Sequence, residues 1–124
     1  MEAILILLAA HFTGDWFLQS RKMATSKSGS FSVALEHGAI VTAVLFLAGL
    51  WLFSDKAIVL LFALYNGIAH IIQDIGIWKL YAEVHKHKPS FKWWEDYWFY
   101  TGVAVDQLLH LSLLVVTYYW LTHC

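Results

Sequence analysis

Three pairs of residues in this chain share a spacing that carries chemistry: His11/Asp15, His70/Asp74 and Asp106/His110. Each is an i, i+4 pair, which places both side chains on one face of a helix. Chance placement of the chain's five Asp and seven His would give roughly half a pair at that spacing. With His37 they make a set of four imidazoles and three carboxylates. Nitrogen and carboxylate oxygen together suit zinc, with manganese or iron as alternatives, whereas calcium and magnesium prefer oxygen alone. Seven donors exceed the need of one tetrahedral ion. They furnish two ions, or one ion whose imidazoles are oriented by outer carboxylates. A divalent ion with an open position lowers the pKa of a bound water to near 7, and hydrolysis of an ester or phosphoester is the direct use.

Other polar residues have simpler readings. Glu36 precedes His37 and points about 100° away from it around a helix, so an interfacial carboxylate is favoured over a general base. Asn66, Gln19 and Gln107 read as packing groups between helices. Arg21, Lys22 and Lys27 set topology, with contact to anionic headgroups or a phosphate as the alternative. His85 and His87 read as part of a solvated loop, and His123 with Cys124 as a frayed terminus. Cys124 is the only cysteine, which excludes an internal disulfide and a thiolate zinc site.

The elements that position these residues are written in the composition. Of 124 residues, 60% are hydrophobic and 14% charged, and the mean hydropathy is +0.60. A soluble domain carries nearer a quarter charged residues, and a chain this short cannot hide so much apolar surface in its own core. The pattern predicts an all-α integral membrane protein, one domain over 1–124, folded as an antiparallel bundle of four transmembrane helices at roughly 2–19, 31–53, 57–81 and 97–121. Glu2 stands where a signal peptide would carry basic residues, so the first segment reads as a retained helix. Seven of the eight Lys/Arg fall on one side, and only Lys56 on the other. The positive-inside rule then puts the first and third loops in the cytoplasm and both termini outside, in a bacterial inner membrane. Trp93, Trp94, Tyr97 and Trp98 form one aromatic belt, and Tyr118, Tyr119 and Trp120 the other. Counting ~1.5 Å per residue places all seven His/Asp residues in a zone roughly 15 Å tall in one half of the bilayer. Ionisable groups at such depth are costly and functional by default.

At these residues the chain resembles a family of small bacterial and phage membrane proteins of unknown function, related to the YdjM-like group described as membrane-bound metal-dependent hydrolases. The matching words are HFTGDWFLQ at 11–19, ALEHG around His37, AHIIQD ending at Asp74 and VDQLLH ending at His110. The resemblance spans nearly the whole chain. It implies a four-helix membrane protein whose characteristic polar residues are His11, Asp15, His37, His70, Asp74, Asp106 and His110, the same seven whose donor chemistry makes them the candidate metal ligands. The family pattern has a lysine soon after the Asp of the third helix, whereas here Ile77 holds the closest spacing and Lys79 follows.

The expected function is a membrane-embedded metal-dependent hydrolase that acts on a lipid or phosphoester at the cytoplasmic leaflet through a metal-bound water. A non-enzymatic protein that binds metal or handles ions and protons is the alternative, and four helices would then require an oligomer. A haem carrier would also use facing histidines, but has no need of an Asp beside each. A net charge of −1 with no basic stripe excludes nucleic acid.

Overall fold

Each long helix of this protein buries a single stripe of residues spaced three or four apart, and the four stripes meet. In the computed structural model the described residues are 1–26, 29–85 and 97–123, and every element among them is helical. The helices are α1 (Glu2–Phe12), α2 (Arg21–Ser26), α3 (Phe31–Leu52), α4 (Lys56–His85) and α5 (Tyr97–His123). A π-helical segment, Thr13–Phe17, continues α1 without a break. The Leu18 amide closes it by donating to the Thr13 carbonyl at 3.0 Å.

Three of these helices, α3, α4 and α5, are long and apolar enough to cross a membrane. The first segment differs from the expected single α-helix over 2–19. Its eleven α-helical and five π-helical residues rise about 24 Å, short of a ~30 Å hydrocarbon layer. Gly14 lies where the π segment meets α3, and a Cβ there would stand 3.3 Å from the Val41 Cα. The next stretch, expected as the first loop between the segments 2–19 and 31–53, contains α2. Ser20 Oγ accepts from the Met23 amide at 3.2 Å, an N-terminal cap, and Met23 is buried beneath it. α4 runs to His85 and α5 to His123, both beyond the expected ends.

The contacts close a ring. α1 packs on α3 and α5, α4 packs on the same two helices, and the π segment and α2 lie against α3. The α3/α4 pair is the most extensive. Only Phe53, Ser54 and Asp55 join these two helices, so they run antiparallel as an αα-hairpin. Asp55 Oδ1 accepts from the Ala57 amide at 2.7 Å and caps α4.

Gly67 lets the hairpin close. A Cβ there would collide with Thr42 Oγ1, which donates to the Gly38 carbonyl at 2.7 Å. Such small-residue contacts let helix backbones approach in apolar surroundings. Gly67→Val is therefore expected to lower stability by ~1–3 kcal/mol through overpacking. The check is the unfolding midpoint in detergent, and an unchanged midpoint would show that Thr42 gives way freely.

The apolar core lies towards the hairpin end: Leu7 and Ala10 of α1, Val41 and Leu45 of α3, Phe62 and Ala63 of α4, and Leu114 of α5. Phe53 stacks over it between Phe62 and Tyr118, with ring centroids 5.3 and 5.6 Å away. Large apolar side chains also stand on the outer surface. Leu47, Trp51, Leu60, Ile68, Leu108 and Val116 are all exposed.

Candidate metal centre

The buried stripes change character midway along the bundle. On α1 the step of four that begins at Leu7 continues to His11 and then to Asp15 in the π segment. On α3, Leu45 and Val41 lead to His37. On α4, Phe62 is followed by Asn66, His70 and Asp74, and on α5, Leu114 leads back to His110 and Asp106. The positions that bury leucine at one end thus bury histidine and aspartate at the other. All seven predicted residues meet there, each 1–3% exposed.

At the centre are four donor atoms from three elements, the π segment, α3 and α4. His37 Nε2 lies 3.0 Å from Asp15 Oδ1, 3.1 Å from His70 Nε2 and 3.5 Å from Asp74 Oδ2. His70 Nε2 lies 3.3 Å from Asp15 Oδ1 and 3.4 Å from Asp74 Oδ2. Gln19 Nε2 adds a further neighbour to His37 Nε2 at 3.3 Å. One imidazole nitrogen either donates a single hydrogen bond or accepts one. Four polar atoms converging on His37 Nε2 exceed what a hydrogen-bond network can use. They suit an ion. A tetrahedral ion with bonds of ~2.0–2.1 Å sets its ligand atoms ~3.3–3.4 Å apart, and five of the six separations within the cage of Asp15, His37, His70 and Asp74 run from 3.0 to 3.5 Å.

The second oxygens of the two carboxylates face outward from this cage. Asp15 Oδ2 is 3.9 Å from His11 Nε2 and accepts from Gln107 Nε2 at 2.8 Å. Asp74 Oδ1 is 3.9 Å from His110 Nε2, which is 3.8 Å from Asp106 Oδ1. The groups His11/Asp15/His110 and Asp74/Asp106/His110 each bring donor atoms within 4.8 Å of one another and could also hold an ion. His70 and His110 stack with ring centroids 4.0 Å apart, which ties the two sides of the cluster together.

Gln107, read from sequence as a packing group, organises one wall. Its Oε1 accepts from Trp16 Nε1 at 3.2 Å, and because an indole N–H only donates, this fixes which end of the amide is oxygen. The same oxygen lies 2.8 Å from His11 Nε2, so that ring nitrogen carries a proton and donates. His11 therefore enters the cluster with Nε2 committed to Gln107. Asn66 and Gln73 line a cavity of about 10 Å³ with His11, His70 and His110, about the room one water needs.

Other predicted residues stand apart. Glu36, Arg21 and Lys22 are exposed. His123 Nδ1 donates to the Tyr119 carbonyl at 2.8 Å at the far end of α5. Lys27, His87, Lys88, Lys92, Trp93, Trp94, Cys124 and the side chain of His85 lie outside the described residues. The 3.1 Å between His37 and His70 nitrogens leaves no slot for a haem between them.

A pocket of about 650 Å³ adjoins the cluster. Asp15, Asp106, Gln107 and Gln19 give it a polar side, while Trp16, Trp78, Tyr81, Phe99 and Tyr100 line the rest. The three buried aspartates face imidazoles and an amide across the cluster, and a divalent ion there would add positive charge beside buried carboxylates.

No curated protein and no solved structure matches the chain. The match over residues 3–124 is to the family described as "Protein of unknown function (DUF3307)", and this chain belongs to that family.

Proposed function

We propose that this protein is a membrane-embedded metal-dependent hydrolase whose substrate is a lipid or phosphoester at the cytoplasmic leaflet. The observation that carries the reading is the crowding of four donor atoms around one point between His37, His70, Asp15 and Asp74, beside a pocket large enough for part of a lipid. Zinc is the first candidate by geometry and donor type, with manganese or iron next.

The inside-out distribution of polarity supports membrane insertion. Large apolar side chains face outward along α3, α4 and α5 while seven ionisable groups are buried. Patches of that size mark a surface that meets lipid or a partner. On this reading α1 with its π segment is the fourth crossing element, both termini lie outside the cytoplasm, and the membrane is the bacterial inner one. The kinship with YdjM-like membrane-bound metal-dependent hydrolases belongs to the same proposal.

A divalent ion held in the cluster around Asp15, His37, His70 and Asp74 would supply hydroxide at neutral pH by lowering the pKa of its water to near 7. The chain's own part is placement. Asp15 and Asp74 fix the imidazoles, Gln107 fixes Asp15 and His11, and the aromatic walls exclude water and hold the apolar part of the substrate.

The test pairs metal content with turnover. Detergent-purified wild type is expected to carry stoichiometric zinc, manganese or iron and to cleave p-nitrophenyl fatty esters or bis-p-nitrophenyl phosphate. His70→Ala is expected to lose the ion of the four-residue cage and, with it, turnover. Turnover that persists without metal would overturn the reading. The unbroken polar chain from Trp16 through Gln107, Asp15 and His37 to His70 favours ion or proton handling as the second reading. Ion flux in proteoliposomes without ester cleavage would establish it.

A further inference from the structure

We infer that Asp74, Asp106 and His110 form a second metal site, and that this site keeps open the coordination position that the four-residue cage fills. The inference rests on the metal-dependent reading above and assigns its open coordination position.

The cage draws one donor from each of Asp15, His37, His70 and Asp74. Four protein donors complete a tetrahedron, which is the pattern of structural ions, whereas catalytic ions keep three protein donors and leave the fourth position to water or substrate. The neighbouring triad has three. Asp106 Oδ1 and Asp74 Oδ1 approach His110 Nε2 to 3.8 and 3.9 Å, a few tenths of an ångström wider than the ~3.3–3.4 Å of a filled tetrahedron.

Asp74 belongs to both groups, one oxygen to each. Its Oδ2 faces His37 and His70, and its Oδ1 faces His110. A carboxylate split in this way bridges two ions, and paired ions ~3.5–4 Å apart are the recurring arrangement in metal-dependent hydrolases. The stacked rings of His70 and His110 present their nitrogens to the two sites side by side.

Each group reaches the 650 Å³ pocket through one carboxylate, Asp106 for the second site and Asp15 for the cage. The three-donor group is the one that keeps a coordination position open.

The experiment counts ions in the full-length protein, loaded with zinc or manganese in detergent and freed of excess metal. Wild type is expected to hold two ions per chain, and Asp106→Asn and His110→Ala one each. Manganese-loaded wild type should give the electron paramagnetic resonance signal of an exchange-coupled pair, and both variants that of an isolated ion. Unfolding midpoints show whether each variant remains folded. One ion in wild type, or two in a folded variant, overturns the second site and leaves the hydrolase reading standing. An empty wild type overturns the hydrolase reading itself. Loss of both ions from both folded variants shows a single indivisible cluster and overturns the division into two sites.

Discussion

Asp74→Asn is expected to empty both metal sites at once, which no other substitution in the cluster that keeps its shape should do. Asn preserves the volume of Asp and one of its oxygens, so the packing of α4 against α3 is retained. It removes the negative charge and replaces one acceptor oxygen with an NH₂ donor. Both oxygens of Asp74 are in use: Oδ2 lies 3.4–3.5 Å from the nitrogens of His37 and His70, and Oδ1 lies 3.9 Å from that of His110. Whichever way the amide turns, one site meets a donor in place of a ligand and both lose a charge. Loss of an outer partner typically costs 10–100-fold in metal affinity, and loss of a shared ligand should exceed ~100-fold. Metal content is expected to fall from about two ions per chain to near zero, with ester cleavage falling in proportion. Glu36→Gln, on the exposed face beside His37, is the matched control and should change neither. Full metal content in the Asp74→Asn protein would remove Asp74 from the ligand set and the bridging geometry with it.

Much of this cluster is legible without coordinates because a buried stripe has a fixed period. His11/Asp15, His70/Asp74 and Asp106/His110 share faces by spacing alone, and the same steps of four carry on from Leu7, Phe62 and Leu114. The outer ends of the ladders are also in the spacing. Gln19 follows Asp15 by four and reaches His37, and Asn66 precedes His70 by four. Gln107 is different. It sits next to Asp106, and its role depends on Trp16, 91 positions away, whose donor-only indole fixes the amide and hence the proton on His11. No period in one helix reports a partner on another.

The first segment shows a second kind of limit. Its hydropathy predicts one continuous α-helix over 2–19, and the π segment over Thr13–Phe17 is invisible to that pattern. Its cause is a tertiary contact. Gly14 lets the backbone press against Val41 of α3, and the wider turn delivers Asp15 to His37 at 3.0 Å. π-helical turns recur at functional sites for this reason, since they redirect a side chain without ending the helix. The α2 helix was hidden by a polar, serine-rich composition that suits a loop. Ser20 as cap and the buried Met23 decide otherwise.

Metal removal should show whether the cluster is held together by ions or by hydrogen bonds. Three aspartates are buried together in one cluster, so removing bound cations takes away positive charge that would hold their carboxylates close. Stripping the protein with a chelator is therefore expected to lower its unfolding midpoint in detergent. For an ion present at ~1,000 times its dissociation constant, the stabilisation lost is ~4 kcal/mol. A chain of this length would lose on the order of 10 °C or more. Adding zinc or manganese back should restore the midpoint, with a concentration dependence that reports affinity. Asp74→Asn sharpens the comparison, because a protein that binds no metal has nothing to lose to the chelator. Its midpoint should be the same with and without it. If wild type also ignores the chelator while retaining its fold, the contacts around His37 and His70 are hydrogen bonds sharing protons. The chain from Trp16 to His70 is then a proton-handling device instead of a hydrolytic centre.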